Sequence, residues 1–143
     1  MEELPKFPPY SFSALMTSPP YCNRYDYTRT YALELAALGI NEDGIRQLRQ
    51  QMLSCTVENR EKDCLADLVG MQTFEKGRQI FDAQRLLSAI CNHLDYLRDE
   101  NQLNNSGIAR MVRNYFWEMT LVILECARVL KPGVPFIMVN DNV

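Results

Sequence analysis

Histidine occurs once in the 143 residues, as His93, and tryptophan once, as Trp117. The five cysteines, Cys22, Cys55, Cys64, Cys91 and Cys126, never form a Cys-x-x-Cys pair, so the ligand spacing of a zinc site is missing. Cys91 and His93 stand two apart on one predicted helix, which reads as incidental rather than as a ligand set. An odd, widely spaced cysteine count, behind a start with no basic run ahead of an apolar core, points to reduced thiols in a cytoplasmic protein. Charge breaks the apolar runs well short of the ~18 residues of a membrane span, so no membrane partner is expected. Positive charge is also scarce: 15 Lys and Arg against 18 Asp and Glu give −3, and nucleic acid would need a local basic patch. Repeats and low-complexity segments are absent from the sequence. What remains, 47% hydrophobic and 23% charged, is ordinary for one soluble domain with a real core.

Along the chain, residues 1 to 9 hold three prolines and read as an extended lead-in without regular structure. "YSFSALMT", residues 10 to 17, reads as a short buried strand ending at Ser18-Pro19. "YTRTYALELAALG" places Tyr31, Leu35 and Leu38 on one helix face, widened by Leu33 and Ala36, with Gly39 as the stop. Asn41 caps a next helix that carries Glu42 and Asp43 in its first turn and ends near Ser54. A polar connector and a short helix over "CLADLVGM" follow. One long helix is expected over 75 to 99, with Ile80, Ala83, Leu87, Ile90, Leu94 and Leu97 as its apolar stripe. The clearest periodicity, Ile108 through Leu130, predicts a helix over 107 to 130 packed on the sheet. "KPG" ends it, with Lys131 satisfying the helix carboxyl end, and "VPFIMVN", 134 to 140, reads as a second buried strand. The fold class is therefore α/β but helix-rich by residue count: two parallel strands joined by a long, mainly helical crossover over 27 to 130.

The turn after the first strand concentrates unusual chemistry. Ser18 and Pro19 each precede a proline and are pushed into extended geometry, while two consecutive backbone donors are lost. At the carboxyl end of a parallel strand, where open α/β sheets bind ligands, such a turn is a rigid set of acceptors. By itself Pro-Pro-Tyr is more often a plain turn or linker. For Asn23, Arg24, Asp26, Tyr27, Arg29 and Tyr31 two readings stand side by side. One is a helix started by Asp26 or Thr28 with solvated arginines; the other has Arg24 or Arg29 touching phosphate or base.

Ser18-Pro19-Pro20-Tyr21, preceded by Thr17, resembles the catalytic motif of the amino-group S-adenosylmethionine-dependent DNA methyltransferases: Asp, Asn or Ser, then Pro-Pro and an aromatic. The longer string "TSPPYCNRYDYTRTYALEL" looks like one branch of these enzymes. "ECARVLKPGVPFIMVND", 125 to 141, resembles the segment in which a helix of that fold enters the following strand, with Val134 where a second glycine usually stands. The resemblance implies a partial Rossmann-like class I methyltransferase fold, S-adenosyl-L-methionine as cofactor, and DNA as partner within a restriction-modification context. It implies a catalytic loop over 18 to 26, where Ser18 Oγ and the Pro19 carbonyl hold an exocyclic amine of cytosine or adenine and Tyr21 stacks on the flipped base. Thr17, Asn23, Arg24, Tyr25 and Arg29 then become substrate-binding candidates.

Residues 41 to 107 carry no motif of the family, and a groove for the target strand is expected from their length, with Arg46, Arg49 and Arg60 exposed along it. None of the six glycines forms a Gly-x-Gly, so no cofactor loop can be assigned. The expectation is a single partial methyltransferase domain, 1 to 143, lacking its cofactor-binding half and prone to self-association through an exposed strand edge. Alternatives within reach of the same acceptors are an RNA-base or protein-amide methyltransferase. A catalytically inactive binding module is the alternative from another class.

Overall fold

The computed structural model describes residues 3–23 and 25–140. In chain order the elements are β1 (Leu15–Thr17), α1 (Tyr27–Thr30), α2 (Ala32–Ala37), α3 (Glu42–Gln51), α4 (Leu65–Val69), α5 (Met71–Asp82), α6 (Arg85–Asp99), α7 (Gly107–Val129) and β2 (Phe136–Met138). The strands pair in parallel, Leu15 opposite Phe136, Met16 opposite Ile137 and Thr17 opposite Met138, so the helix-rich α/β expectation holds. Among the described residues no helix is long and apolar enough to cross a membrane.

The central element is α7. Its buried residues run almost all round it, including Ala109, Met111, Tyr115, Trp117, Met119, Leu121, Cys126 and Val129. On one side Trp117 and Leu121 meet Leu65, Val69 and Phe81 of α4 and α5. Gly77 allows that contact, because a Cβ there would stand 2.6 Å from Leu121 Cδ2. Phe74 and Phe81 set their rings edge-on to Trp117, and the Arg78 guanidinium lies 4.2 Å over the Trp117 ring centroid. On another side Tyr115 and Met119 pack with Cys55, Cys22, Leu53 and Met138, directly beneath the turn that follows β1.

The first strand is shorter than expected, and the reason is a competing set of acceptors. The last turn of a helix leaves carbonyls without partners. Here the Tyr10 and Phe12 amides donate to the Arg128 and Val129 carbonyls at 3.1 and 3.0 Å, and Tyr10 takes a left-handed φ of 61° to do so. Residues 10 to 13 are thus spent on the end of α7, where Phe12 forms a bridge with Leu130. Neither strand is buried as expected: Met16 is 73% exposed and Ile137 46%, leaving one sheet face open.

Other departures follow from packing. The helix expected over 75 to 99 is two, α5 and α6, because Gln84 leaves the helical region at ψ 92° and its amide group turns back onto the Ile80 carbonyl. No glycine or proline marks the break. The inward face is also rotated from the expected stripe, with Phe81 and Cys91 buried while Ile80 and Ile90 are exposed. The helix expected through Tyr31 is likewise divided into α1 and α2 there, and Leu33 and Leu38 face solvent. The lead-in contains a 3-10 turn, Leu4–Lys6, with Pro5 in its first turn where no donor is missed. Arg128 holds that turn by donating to the Leu4 and Phe7 carbonyls while it grips the buried Glu125. Lys131 does not serve the helix end; its Nζ donates to Ser13 Oγ at 3.0 Å. Gly133 sits at φ 78° in the turn into β2, as its place in Lys-Pro-Gly requires.

Candidate functional site

The Ser-Pro-Pro-Tyr turn leaves the carboxyl end of β1 at the molecular surface. Thr17 closes the strand by accepting the Val139 amide at 2.9 Å, and Ser18 follows, exposed. Ser18 Oγ lies 3.4 Å from the Tyr21 hydroxyl. Pro19, Pro20 and Tyr21 are half-buried, and among the described residues no donor reaches the Pro19 carbonyl. The Pro20 carbonyl is held: Tyr115 Oη of α7 donates to it at 2.9 Å. Among the described residues Ser18 Oγ and the Pro19 carbonyl are thus left as acceptors beside a ring.

Beyond the turn a second network fixes the backbone. Asp26 Oδ1 accepts from the Thr28 and Arg29 amides and from Thr28 Oγ1, capping α1 as expected. Arg49 of α3, its side chain only 16% exposed, reaches Asp26 Oδ2 at 3.1 Å and donates to the buried Thr28 hydroxyl. Burial alone pushes the Asp26 carboxyl up, but the Thr28 hydroxyl, the Arg49 guanidinium and the Thr28 and Arg29 amides outweigh it and hold the group below its usual value. Arg29 pairs with Asp26 and with Glu58 at 2.7 Å, so both of these arginines are engaged by carboxylates. Asn23 Oδ1 accepts the Tyr25 amide, Tyr25 and Tyr27 meet edge to face, and Cys55 Sγ donates to the Tyr25 carbonyl. Arg24 lies outside the described residues.

The arginines expected to line a groove divide in two. Arg46 is exposed and pairs weakly with Glu42 and Asp43, and Arg60 makes no ion pair among the described residues. Both border an open hollow of about 630 Å³ together with Gln47, Gln50 and Glu58. Arg49 borders it too, but is committed to Asp26 as a structural cation.

Two buried features escaped the sequence reading. Glu118, on α7, accepts from the Ser54 amide at 3.1 Å, from the Ser54 hydroxyl, and from Lys62 Nζ at 2.6 Å. Tyr115 sits one turn earlier on that helix with its hydroxyl on the proline turn. A signal existed for both: Glu118 and Glu125 interrupt an apolar stripe seven residues apart, and a tyrosine on such a stripe must find a partner for its hydroxyl. Burial, together with the neighbouring Cys22 and Cys55 sulfurs, pushes the Tyr115 hydroxyl up to about 12, so it remains a donor. Burial likewise pushes Cys22 up to about 11, and raises Cys55, Cys91 and Cys126, so these thiols are packing groups and not nucleophiles.

Type II methyltransferase M.AvaI of Nostoc sp. is 54% identical to this chain over 140 residues, which is 98% of the chain. The chain is a partial homologue of type II methyltransferases. The protein of the same name from Anabaena variabilis matches equally, and type II methyltransferase M.BsoBI of Geobacillus stearothermophilus is 45% identical over 148 residues. The chain spans only 28 to 29% of the length of these type II methyltransferases, while the match runs through essentially all of the chain, the proline turn and α7 included. No protein-family model and no solved structure matches it.

Among the described residues no glycine-rich loop of the kind that holds a nucleoside or phosphate is formed. Gly39, Gly70 and Gly133 take positive φ at helix ends and turns, Gly77 is pressed against α7, Gly107 opens α7 beside Val57, and Gly44 lies inside α3. Every glycine is thereby engaged in local structure, and none follows β1 as a phosphate- or nucleoside-binding loop would.

Proposed function

We propose that this chain is the amine-holding part of a methyltransferase domain, within a protein that uses S-adenosyl-L-methionine to methylate the exocyclic amino group of cytosine or adenine in DNA. The observation that carries this reading is the turn at the end of β1. Ser18 Oγ is exposed, no donor among the described residues reaches the Pro19 carbonyl, and the backbone on either side is tied down by Thr17 and by Tyr115. The homology to type II methyltransferases supports the reaction class and a place in a restriction-modification system.

The chemistry assigned to these residues concerns the amine alone. Its lone pair is delocalised into the base ring, which makes the nitrogen a poor nucleophile. Acceptors aimed at its two hydrogens favour a more tetrahedral nitrogen, and the gain grows as positive charge develops there. Ser18 Oγ and the Pro19 carbonyl supply the two acceptors, and Tyr21 supplies a stacking face for a base taken out of the helix. The methyl donor is held by parts of the protein outside these 143 residues, and the open face of the sheet, with Met16 and Ile137, is where that remainder packs.

Ser18→Ala in the full-length protein tests the assignment. Transfer from S-adenosyl-L-methionine to duplex DNA falls by about 10²-fold, the scale of losing one preorganised hydrogen-bonding group, while donor binding is unchanged. Unaltered transfer would remove Ser18 from the site. Tyr21→Ala raises the KM for DNA more than it lowers kcat.

A further inference from the structure

Within that reading, on which this inference rests, we propose that Tyr115 is a positioning residue for the amine site, setting how the stiff Ser18-Pro19-Pro20 unit and its two acceptors stand relative to α7 and the Tyr21 ring through its hydrogen bond to the carbonyl of Pro20. The rings of Pro19 and Pro20 fix φ at both residues. Ser18 and Pro19 each precede a proline, and this confines ψ at both to extended values. Ser18 to Pro20 is therefore a stiff unit, and the first soft torsion after it is ψ of Pro20, because the next residue is Tyr21. The 2.9 Å bond from Tyr115 Oη to the Pro20 carbonyl fixes that torsion relative to α7.

The anchor is rigid in its turn. Tyr115 is only 6% exposed and packs with Cys55, Met119, Cys22, Leu53 and Met138, so its ring has no room to swing. Met138 is the β2 partner of Thr17, and the same cluster therefore touches the strand that delivers Ser18. Three residues along α7, Glu118 grips Ser54, next to Cys55 in that cluster. Without the Tyr115 hydroxyl the two acceptors keep their mutual geometry, but the stiff unit that carries them can rotate at Pro20 relative to α7 and the Tyr21 ring. An error of that kind lowers the rate of the chemical step and leaves ground-state binding nearly untouched.

The experiment is single-turnover methyl transfer by the full-length protein under saturating S-adenosyl-L-methionine and duplex DNA, with the burst amplitude recorded beside the rate. Tyr115→Phe keeps the ring and removes the donor. The expected result is a rate roughly fivefold to tenfold lower at full amplitude, as one lost hydrogen bond implies, with unchanged donor affinity. Incorporating p-aminophenylalanine at position 115, an N–H donor of similar reach, restores most of the rate. Met119→Ala, which thins the same cluster and breaks no hydrogen bond, lowers amplitude or thermal midpoint but leaves the rate per active site intact. A Tyr115→Phe protein with the normal rate overturns the inference. So does one that loses amplitude without loss of rate, or fails to fold, since the tyrosine is then a structural anchor. Ser18→Ala in the same assay separates the two levels: if it transfers normally the amine-site reading fails, and if it is inactive while Tyr115→Phe is normal only the positioning role fails.

Discussion

Removing the Glu118 carboxylate should unfold the junction between α7 and the segment after α3 more severely than any surface change of equal size. Glu118 is 2% exposed and Ser54 wholly buried, so Glu118→Ala leaves the Ser54 amide and hydroxyl without an acceptor and Lys62 without its counterion. Breaking one side of a buried ion pair costs about 3–5 kcal/mol. Lys62 Nζ keeps one partner, the Met52 carbonyl at 2.5 Å, which argues for the lower end, about 3 kcal/mol. With a urea slope of about 1.5 kcal/mol per molar, the unfolding midpoint then falls by about 2 M. Trp117, the single tryptophan, is buried next to Glu118 and reports the transition by fluorescence. Lys62→Met leaves the carboxylate bonded to Ser54 but unpaired, and the double variant should lose about 2 kcal/mol less than the two single losses together, the signature of a coupled pair. A Glu118→Ala shift below about 0.5 M, or strict additivity in the cycle, would refute this account of the junction.

The remaining predictions concern the loop and the hollow. Because the Asp26 carboxyl is held below its usual value of about 3.9, its stabilisation is present above that pH and is lost as pH falls through the lowered value. Asp26→Asn should therefore flatten the decline in stability as pH falls below about 4, and a decline as steep as in the parent protein would contradict the capping role. Alkylation by iodoacetamide at neutral pH should mark the exposed Cys64 first, with Cys55, Cys91 and Cys126 reacting only on unfolding; peptide mass mapping reads the order. Arg60→Ala in the full-length protein should lower the salt dependence of DNA binding by close to one phosphate contact, about 0.9 in the log–log slope. Arg49→Ala should instead lower the urea midpoint, and an equal slope change from both would erase the distinction drawn between them.

Legibility in the sequence followed the source of each constraint. Local chemistry was readable: the Asp26 and Asn41 caps, Gly39 and Gly133 at helix ends, and the three-and-four spacing that gives α7 almost to the residue. The parallel pairing of "LMT" with "FIM" also follows from two short apolar runs separated by helices. Long-range competition was not readable. The first strand shrinks because Tyr10 and Phe12 serve the end of α7, far along the chain, and the break at Gln84 carries no glycine or proline to announce it. Arg49 and Arg29 show the same limit at the site, since a pattern of arginines among aromatics does not reveal that Asp26 and Glu58 meet them in space. Tyr115 was visible as an apolar-face residue, while its hydroxyl partner at Pro20 was not.

The account turns on where the methyl group goes. The direct measurement is to let the full-length protein methylate duplex DNA with isotopically labelled S-adenosyl-L-methionine, digest the product to nucleosides and identify the labelled one by mass spectrometry. The account predicts label on an exocyclic nitrogen, as N4-methylcytosine or N6-methyladenine, lost in the Ser18→Ala protein. Label on cytosine C5, which demands a covalent nucleophile that the Ser-Pro-Pro-Tyr turn does not supply, would contradict it.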